Sequence, residues 1–381
     1  MVVSELSCEK QPLCIMHIAS GDLWAGAEVQ LFTLVSALNK MPTNTLHVVL
    51  LNEGELSNRL RSVGVAVSVI DEQALSAMAI FSQLKTLIRE VKPDIVHTHR
   101  FKENILGALA NALTVSAFSV RTVHGAPEFV YGPFNQPLKW LAHCVDVWVG
   151  KKLQGRVIAV SAPLAEQLAC YYPGNHISII LNGVDVAHFD AVKPAAVLTA
   201  TKDVVHVGVV GRLVSVKRVD LFLEMCKWLV EADKGSFQFH IVGDGPLDVE
   251  LQQKCHALGL DDDVVFYGHR SDVAAFIAGL DVLVMCSDHE GLPMTALEAL
   301  ALGTPVVAHA VGGLCDLLAG CEVSRLVCEH SPEAYAQSVM ACLDDVNKRT
   351  AVILPHQYTA VRNAEQIMMV YRRGVDAKGL S

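Results

Sequence analysis

The chain has 381 residues, of which 52% are hydrophobic and 18% are charged, and its formal net charge is −10. This length suits two domains of ordinary size, and the hydrophobic content excludes a disordered chain. Up to Asp190 there are 14 basic and 16 acidic side chains, and after it 16 and 24, so the two halves carry −2 and −8. This acidic balance argues against nucleic acid as a partner, because binding along phosphates needs a basic surface.

The 11 cysteines are an odd number and form no C-x-x-C pair, which predicts reduced thiols in a cytoplasmic protein. The first residues, MVVSELSCEKQPLCIMHIAS, include early acids and no apolar run of signal-peptide length. The most apolar segment, residues 104–120, is short for a bilayer and contains several polar residues. We interpret it as a buried helix followed by a strand.

In chain order, the first half alternates short apolar runs with helical stretches. The run CIMHIA precedes a helix over residues 27–39, and LHVVLL and VAVSVI precede a helix around residues 81–91. The runs DIVHTH, SVRTVHG, RVIAVS and ISIILNG continue the series. Apolar strands that alternate with amphipathic helices are typical of a parallel sheet covered on both faces.

The second half repeats this alternation. Its strands are VVHVGVVGRL, FQFHIVGDG, VVFYGH, DVLVMCS and TPVVAHAVGG, and its helices are predicted over residues 220–232, 247–258 and 294–302. A final helix is expected around residues 358–373. We therefore predict an α/β protein with two doubly wound domains that join near residues 190–203. Ligands of such sheets bind beyond the carboxyl ends of the strands, so the turns there should hold the functional residues.

Two cations follow the first strand of the second half, in VGVVGRLVSVKR. Arg212 comes directly after Gly211, and Lys217 lies five residues further on. Arginine offers a fork of donors and lysine a point charge, a combination that suits a diphosphate. The pattern equally allows two solvated surface cations.

Two glycine-rich turns could bring a ligand close to the backbone. Gly243 lies in IVGDGP, and Gly26 and Ala27 open a helix in SGDLWAGAEVQL, where free amides could meet an anion. Neither turn has the G-x-G-x-x-G spacing of dinucleotide-binding proteins, which argues against a nicotinamide-dependent dehydrogenase.

Three histidines end predicted strands. His97 and His99 lie in HTHR, and His124 precedes a glycine in TVHG, which gives His124 the better position for a catalytic role. A lone histidine is more often a structural residue. These three histidines have no nearby acidic residue to complete a metal site, so we expect no bound metal.

Two carboxylates flank the start of a helix in EGLPMTALEALALGTP. Glu290 precedes the helix, which should begin near Pro293 or Met294, and Glu298 lies about one turn inside it. Carboxylates accept hydrogen bonds from vicinal diols, and the open amides of the helix can bind an anion. The two acids could also be solvated on a surface helix, but the small residues around Glu298 suggest close packing. A nucleotide sugar has the matching order of hydroxyls, diphosphate and hydroxyls.

Several segments together resemble glycosyltransferase family 4. The run E-x(7)-E in EGLPMTALEALALGTPVVA resembles its signature, and GRLVSVKR, VGDGP, NGVDVAHF, PDIVHTH, TVHG, VIAVS and GAE follow the order of the family over residues 15–313. Two departures are modest. GLPM replaces the more frequent GFG, and Arg218 stands where glycine is usual, which could alter the phosphate loop.

The resemblance implies a GT-B fold of two Rossmann-like domains that face each other across a cleft. Residues 1–190 would form the acceptor-side domain, completed by a C-terminal helix over 357–381, and residues 191–356 the donor-side domain. The catalytic set would be His124, Arg212, Lys217 and Glu290. The donor-binding set would be Gly26, Ala27, Gly211, Arg212, Lys217, Gly243, His269, Arg270, Glu290, Gly291, Leu292, Pro293, Met294, Thr295 and Glu298.

Each residue has an implied role. The two cations would bind the diphosphate, Glu290 the transferred sugar and Glu298 the ribose. Backbone amides of residues 291–295 and of Gly26 would complete the phosphate site. His124 would lie near the sugar and the acceptor, and His269 and Arg270 would lie by the base.

The implied activity is retaining transfer of a sugar, UDP-linked in the usual case, to an acceptor hydroxyl, without a metal or another cofactor. The partners would be a nucleotide-sugar donor and a glycan or lipid-linked acceptor in polysaccharide or glycoconjugate biosynthesis. Residues 124–141 are expected to wall the acceptor site. Their aromatic side chains Phe129, Tyr131, Phe134 and Trp140 could stack on a sugar or touch lipid, and ordinary packing explains them equally well. A basic patch of Lys139, Lys151, Lys152 and Arg156 would suit peripheral contact with the inner face of a membrane. A nucleotide-sugar 2-epimerase and a non-enzymatic sugar-binding protein are the alternatives.

Overall fold

The computed structural model of the chain describes residues 11–42, 44–125, 136–199, 204–232, 236–344 and 354–379. These residues form two parallel sheets, one of seven strands and one of six, which alternate with helices. The predicted pair of Rossmann-like doubly wound units is therefore confirmed. In each sheet the strand order reverses in the middle, at the position where ligands bind in such folds.

The first sheet belongs to the amino-terminal half of the chain. Its strands are β1 Leu13–Ala19, β2 Asn44–Leu50, β3 Ala66–Val69, β4 Ile95–Thr98, β5 Phe118–Val123, β6 Arg156–Ala159 and β7 Ile177–Ile179. They lie in the order β3-β2-β1-β4-β5-β6-β7. Each strand coincides with one of the apolar runs identified in the sequence.

The second sheet contains one strand more than the sequence predicted. Its strands are β8 Val205–Val210, β9 Phe237–Val242, β10 Val264–Phe266, β11 Val282–Met285, β12 Val306–His309 and β13 Arg325–Val327, in the order β10-β9-β8-β11-β12-β13. The unpredicted strand is β13, which pairs with β12. It has three residues and begins with arginine, so it forms no apolar run of its own.

The helices cover both faces of the two sheets. Their bounds are α1 Gly26–Asn39, α2 Glu55–Ser62, α3 Ala77–Val91, α4 Phe101–Ala112, α5 Pro137–Lys152, α6 Ala162–Leu168, α7 Val186–Phe189, α8 Ala196–Thr199, α9 Val219–Glu231, α10 Asp248–Leu258, α11 Val273–Gly279, α12 Met294–Ala301, α13 Leu314–Leu318, α14 Pro332–Asp344 and α15 Ala360–Lys378. Helix α3 begins at Ala77, earlier than the predicted start around residue 81, and α15 ends at Lys378, later than the predicted end around residue 373. None of the helices in the described part of the chain combines the length and apolar character that a membrane crossing requires.

The period-two pattern of β1 distributes its side chains over two cores. Ile15 packs in the cluster that includes α1 and α15, whereas Met16 and Ile18 pack in the cluster that includes α3. His17 shares the face of Ile15 and is fully buried, so it places a polar ring inside this core.

The last helix, α15, returns to the first sheet and packs against α1 and β5. Two buried hydrogen bonds hold its first turn: Gln30 Nε2 donates to Asn363 Oδ1 at 3.1 Å, and Asn363 Nδ2 donates to the Leu181 carbonyl at 2.7 Å. Further along, Tyr371 is fully buried with its hydroxyl 2.6 Å from Nδ1 of His97. The carboxyl-terminal helix is therefore part of the core around the first sheet.

The two halves are in direct contact. One apolar cluster includes Val157 and Ala159 of β6 together with Leu283 of β11 and Ala308 of β12. Nearby, Asn182 Nδ2 donates a hydrogen bond to the Leu292 carbonyl at 2.8 Å. This contact places the carboxyl ends of the two sheets opposite one another.

Candidate functional site

A cleft of about 620 Å³ lies between the carboxyl ends of the two sheets, with walls from both halves of the chain. Every residue that the sequence singled out as catalytic or donor-binding lines this cleft. They are Gly26, Ala27, His124, Gly211, Arg212, Lys217, Gly243, His269, Arg270, Glu290, Gly291, Leu292, Pro293, Met294, Thr295 and Glu298.

The turns after β8 and β9 cross closely at the floor of the cleft. A Cβ on Gly243 would lie 1.9 Å from the Gly211 carbonyl oxygen, and the φ of Gly243 is +138°, so only glycine fits there. Arg212 follows Gly211 and is exposed on the cleft. Within the described residues its guanidinium has no ion-pair or hydrogen-bond partner, which leaves its donors available to a ligand.

Lys217 and Glu290 form an ion pair in the cleft. Lys217 ends a short 3₁₀ turn, and its Nζ lies 2.6 Å from Oε1 of Glu290. The two side chains are 27% and 10% exposed, so the carboxylate is the more buried partner. A backbone hydrogen bond of 2.9 Å from Asp288 N to the Val216 carbonyl ties the two loops together.

Helix α12 begins at Met294 with its amino terminus open. Pro293 occupies the capping position, and no side chain caps the helix. Its first amides therefore lack partners within the helix and carry the positive end of the helix dipole. Because Met294 and Thr295 line the cleft, this end of the helix is available to an anion.

Glu298 lies further along α12 and also reaches the cleft. Burial raises the pKa of its carboxyl from 4.5 to about 7. Within the described residues the carboxyl has no hydrogen-bond partner. The carboxyl can therefore accept hydrogen bonds from a ligand that replaces the missing partners.

On the first-sheet side of the cleft, three histidines form a chain of contacts. His17 Nδ1 lies 3.0 Å from His99 Nε2, and His99 Nδ1 lies 3.4 Å from His124 Nε2. Burial lowers the pKa of His17 to about 3 and that of His124 to about 4. Burial and the neighbouring histidines lower the pKa of His99 well below its usual value. The rings are therefore neutral at physiological pH, and His124 presents an uncharged imidazole to the cleft.

In the sequence, His97, His99 and His124 were the candidates for a metal cluster, although no bound metal was expected there. The structure instead groups His17 with His97 and His99. Both ring nitrogens of His97 already lie within hydrogen-bond distance of other groups, the Tyr371 hydroxyl at 2.6 Å and the Thr122 hydroxyl at 2.8 Å. The rings of His97 and His99 are stacked, with centroids 4.3 Å apart. Nitrogen lone pairs lie in the ring planes, so stacked rings do not converge on one ion. The geometry fits a hydrogen-bonded group better than a metal site.

Several residues of the cleft were not singled out in the sequence. Asn182 lies in ILNG, shortly after β7, and lines the cleft. A predicted strand followed by Asn-Gly could have indicated a functional turn at this position. Trp24, Asp22 and Glu55 form the wall on the first-sheet side. The guanidinium of Arg59 lies 4.4 Å from the Trp24 ring centroid, and its Nε lies 2.7 Å from Glu55. The positions of these residues relative to the cleft depend on how distant segments fold together.

One prediction about the site needs correction, and one stays a prediction. Trp140 was expected to wall the acceptor site, but it lies on the exposed face of α5 and does not line the cleft. Phe129, Tyr131 and Phe134 lie outside the described residues. Arg218, where the departure from glycine could alter the phosphate loop or the donor fit, pairs its guanidinium with Asp220 at 3.1 Å and Asp288 at 3.4 Å and does not line the cleft.

Two family descriptions match consecutive parts of the chain. The description "Glycosyltransferase Family 4" matches residues 24–188, and "Glycosyl transferases group 1" matches residues 204–345. Together they cover the first sheet from β2 onward, the whole second sheet and the residues of the cleft from Trp24 onward.

Three relatives are similar to the chain. The 2-deoxystreptamine glucosyltransferase of Streptomyces kanamyceticus is 36% identical, over 36% of each chain. The 2-deoxystreptamine N-acetyl-D-glucosaminyltransferase of Streptomyces fradiae is 27% identical over 77% of this chain and 73% of its own length. The Escherichia coli UDP-Gal:alpha-D-GlcNAc-diphosphoundecaprenol alpha-1,3-galactosyltransferase is 26% identical over 75% of this chain and 79% of its own length.

Among solved structures, Anabaena Alr3699/HepE in complex with UDP-glucose superposes with a TM-score of 0.80 at 21% identity. The match covers 95% of this chain and 100% of the other. Sucrose-phosphate synthase from Thermosynechococcus elongatus superposes with a TM-score of 0.77 at 18% identity, and the match covers 96% of this chain and 100% of the other. At these identities the two superpositions establish the shared GT-B fold.

Proposed function

The chain belongs to glycosyltransferase family 4, and from that premise we propose that it transfers a sugar from a nucleoside diphosphate sugar to an acceptor hydroxyl with retention of configuration. One observation carries the proposal: two cations, an open helix terminus and two carboxylates line the same cleft. These groups suit a ligand with an anionic centre and a hydroxyl-rich group at each end.

The diphosphate would bind between Arg212, Lys217 and the first amides of α12. As the sugar departs, negative charge develops on the phosphate oxygen that held it. The two cations and the amino terminus of α12, which line the same cleft, would stabilise that charge. Because these groups supply the positive charge, we propose a transfer that needs no metal and no cofactor.

The two carboxylates would read the hydroxyl groups at the ends of the donor. Glu290 would accept hydrogen bonds from the transferred sugar, and Glu298 from the ribose. Both carboxylates line the cleft beside the start of α12, which would hold the diphosphate. His124 would contact the sugar from the opposite wall, and its neutral ring can either donate or accept a hydrogen bond.

Retention follows if the acceptor attacks from the face that the diphosphate leaves. The bond between the anomeric carbon and the phosphate oxygen breaks, a bond to the acceptor oxygen forms, and the acceptor proton moves to the departing phosphate oxygen. A double displacement would need a carboxylate nucleophile against the anomeric carbon with an acid as its partner. Glu290 is engaged by Lys217, and we assign Glu298 to the ribose at the other end of the donor, so neither carboxylate takes that role in the proposal.

UDP is the donor nucleotide that we propose. The printed name of the Escherichia coli relative specifies a UDP-linked sugar, and the Anabaena structure contains UDP-glucose. His269 and Arg270 would lie by the base. Arg270 is held in place by Asp272, 2.8 Å from its Nε, and its guanidinium lies 5.2 Å from the Phe276 ring centroid.

We propose a glycan or lipid-linked acceptor in polysaccharide or glycoconjugate biosynthesis, at the cytoplasmic face of a membrane. The name of the Escherichia coli relative specifies an acceptor linked to diphosphoundecaprenol, which supports this choice. The Streptomyces relatives are named for 2-deoxystreptamine, so a small polyol is the alternative acceptor. Trp24 on the first-sheet wall offers a ring face to either kind of sugar-like group.

Calorimetry with UDP tests the diphosphate site. We expect Arg212→Ala to weaken binding by about tenfold to a hundredfold, because it removes charge-assisted hydrogen bonds to phosphate. Arg362→Ala changes an exposed arginine on α15, outside the cleft, and should leave the affinity unchanged. Equal affinities for the two variants would remove Arg212 from the donor site.

The sugar end is tested with Glu290→Ala. We expect transfer to fall at least a hundredfold, because hydrogen bonds from a charged group to the sugar strengthen in the transition state. UDP affinity should stay equal or rise, since Lys217 loses a competing partner. A parallel loss of UDP affinity would contradict the assignment of Glu290 to the sugar.

Product analysis by NMR separates a transferase from the alternatives. With a UDP-sugar and a panel of polyol and lipid-linked acceptors, a transferase yields a glycoside with the configuration of the donor. Release of a free epimerised sugar without any acceptor would instead indicate a 2-epimerase. Binding without turnover would indicate a sugar-binding protein.

A further inference from the structure

Helix α5 has its large apolar side chains on the outside. Its buried residues are Asp146, Val149 and Gly150, none of them large. By contrast, Leu138 is 81% exposed, Leu141 55% and Trp148 52%. An ordinary surface helix has the reverse arrangement, with the large apolar side chains against the core.

The exposed residues form one continuous stripe. Leu138, Leu141, Val145 and Trp148 are spaced by three or four residues, which places them on the same side of a helix. These four side chains are each at least 37% exposed and form the apolar stripe of α5.

Polar contacts hold α5 on the protein without help from this stripe. Asp146 accepts a hydrogen bond of 2.5 Å from Asn104 on α4 and pairs with Arg121 on β5 at 2.9 Å. All three side chains are buried. The exposed apolar residues thus have no evident role in the fold, and substituting them should not unfold the protein.

The charge of the same face is positive. Lys151 and Lys152 are exposed in the last turn of α5, and the single acidic residue of the helix is the buried Asp146. The whole chain carries a net charge of −10, so this face differs in sign from the protein average. Such a face is complementary to an anionic surface.

We propose that the exposed face of α5, formed by Leu138, Leu141, Val145 and Trp148 with Lys151 and Lys152, docks on the surface of an anionic lipid bilayer. Apolar side chains would enter the boundary between headgroups and acyl chains, and the lysines would contact anionic headgroups. Tryptophan is favoured at that boundary because its ring is apolar with one polar edge. The proposal concerns a surface outside the cleft and does not rest on the proposed transfer reaction.

The position of α5 would bring the cleft near the bilayer. His124, just after β5, lines the cleft, and β6 begins at Arg156, shortly after α5 ends. Because β5 and β6 are parallel, α5 must run back from the carboxyl edge of the sheet to its amino edge. Leu138 and Leu141 therefore lie towards the edge that carries the cleft.

Co-sedimentation of the full chain with vesicles tests the proposal. We expect binding to vesicles of phosphatidylglycerol and phosphatidylcholine, weaker binding as salt is raised, and little binding to phosphatidylcholine alone. The emission of Trp140 and Trp148 should shift to shorter wavelength on binding. The double variant Leu141→Asp with Trp148→Asp should lower the partition coefficient at least tenfold. Lys151→Glu with Lys152→Glu should do the same, since each lysine contributes about fivefold.

A matched control is Val249→Asp, which changes a 66% exposed valine on α10. It should bind like the unaltered protein, and thermal unfolding should show that all variants are folded. The proposal is overturned if the unaltered protein does not bind, if the α5 variants bind as well as it does, or if Val249→Asp weakens binding equally. Self-association that Trp148→Asp abolishes, together with no vesicle binding, would assign the face to a second copy of the chain and also overturn it.

Discussion

Glu298 is a carboxyl in the cleft whose charge depends on pH within the physiological range. Its pKa rises from 4.5 to about 7 because burial on α12 disfavours the ionised form. Between these values the unfolded chain has lost this proton and the folded protein still holds it. The stability that the protonated carboxyl contributes is therefore present in full below 4.5 and is lost as the pH rises through about 7.

Glu298→Gln should remove this pH dependence, because glutamine stays neutral at a similar size. We expect the variant to gain stability relative to the unaltered protein as the pH rises, reaching on the order of 2 kcal/mol above about pH 7 after allowance for partial exposure. Urea denaturation at several pH values measures the difference. A difference that stays constant with pH would show that folding does not raise the pKa of Glu298.

Arg218 has a left-handed backbone conformation, with φ of +48°, where glycine would be free of strain. Arg218→Gly should relieve about 1 kcal/mol of strain and lose two half-exposed ion pairs that contribute a similar amount. We expect a net change in the free energy of unfolding of less than about 1 kcal/mol. UDP affinity, measured by calorimetry, should not change, because Arg218 does not line the cleft and its guanidinium is paired with Asp220 and Asp288. Markedly weaker binding would place Arg218 in the phosphate loop after all.

At the scale of elements, the attachment of α15 to the first sheet depends on Tyr371. The Tyr371 hydroxyl is 2.6 Å from His97 Nδ1, and both residues are fully buried. Tyr371→Phe leaves that nitrogen without a partner, which should lower the free energy of unfolding by about 1–3 kcal/mol. Met369→Ala, at a 44% exposed position on the same helix, should change it by less than about 0.5 kcal/mol. Equal effects in urea denaturation would mean that the buried contact contributes nothing.

The sequence was informative about the cleft because of how parallel sheets are built. The turns that carry Arg212, Gly243 and Glu290 each follow a strand, and parallel strands end at one edge of a sheet, so their convergence could be predicted. The approach of His17 to His97 could not be predicted from the sequence. It requires knowing that β1 pairs with β4, where these two residues are in register, and strand order is not encoded in the apolar pattern.

The outward face of α5 shows another limit of sequence patterns. A stripe of Leu138, Leu141, Val145 and Trp148 has the spacing of a core-facing helix, so periodicity alone would bury it. The buried contacts of Asp146 with Asn104 and Arg121 override this preference. Such contacts join three separate elements and become visible only in the folded structure.

At the scale of the whole molecule, the two halves meet at Gly291. A Cβ on this residue would lie 2.1 Å from the His124 carbonyl oxygen in the opposite half. Gly291→Ala should therefore separate the halves and lower kcat by about a hundredfold, since a displacement of about 1 Å has an effect of that size. UDP affinity should fall less than kcat, because Arg212 and Lys217 both belong to the second half.

The matched control is Gly320→Ala, where an added Cβ would have no neighbour within 4 Å. This variant should keep both kcat and UDP affinity. If Gly291→Ala behaved in the same way, the spacing of the two halves at this contact would not limit the reaction.

The pairing of Lys217 with Glu290 also determines which small molecules the cleft would reject. A simple anion that drew the ammonium away would leave a carboxylate that is only 10% exposed without a partner, and a free hexose that engaged the carboxylate would isolate the ammonium. A molecule that carries both an anion and hydroxyl groups can satisfy the two side chains together. We therefore expect orthophosphate and free monosaccharides, although abundant in cells, to be poor competitors.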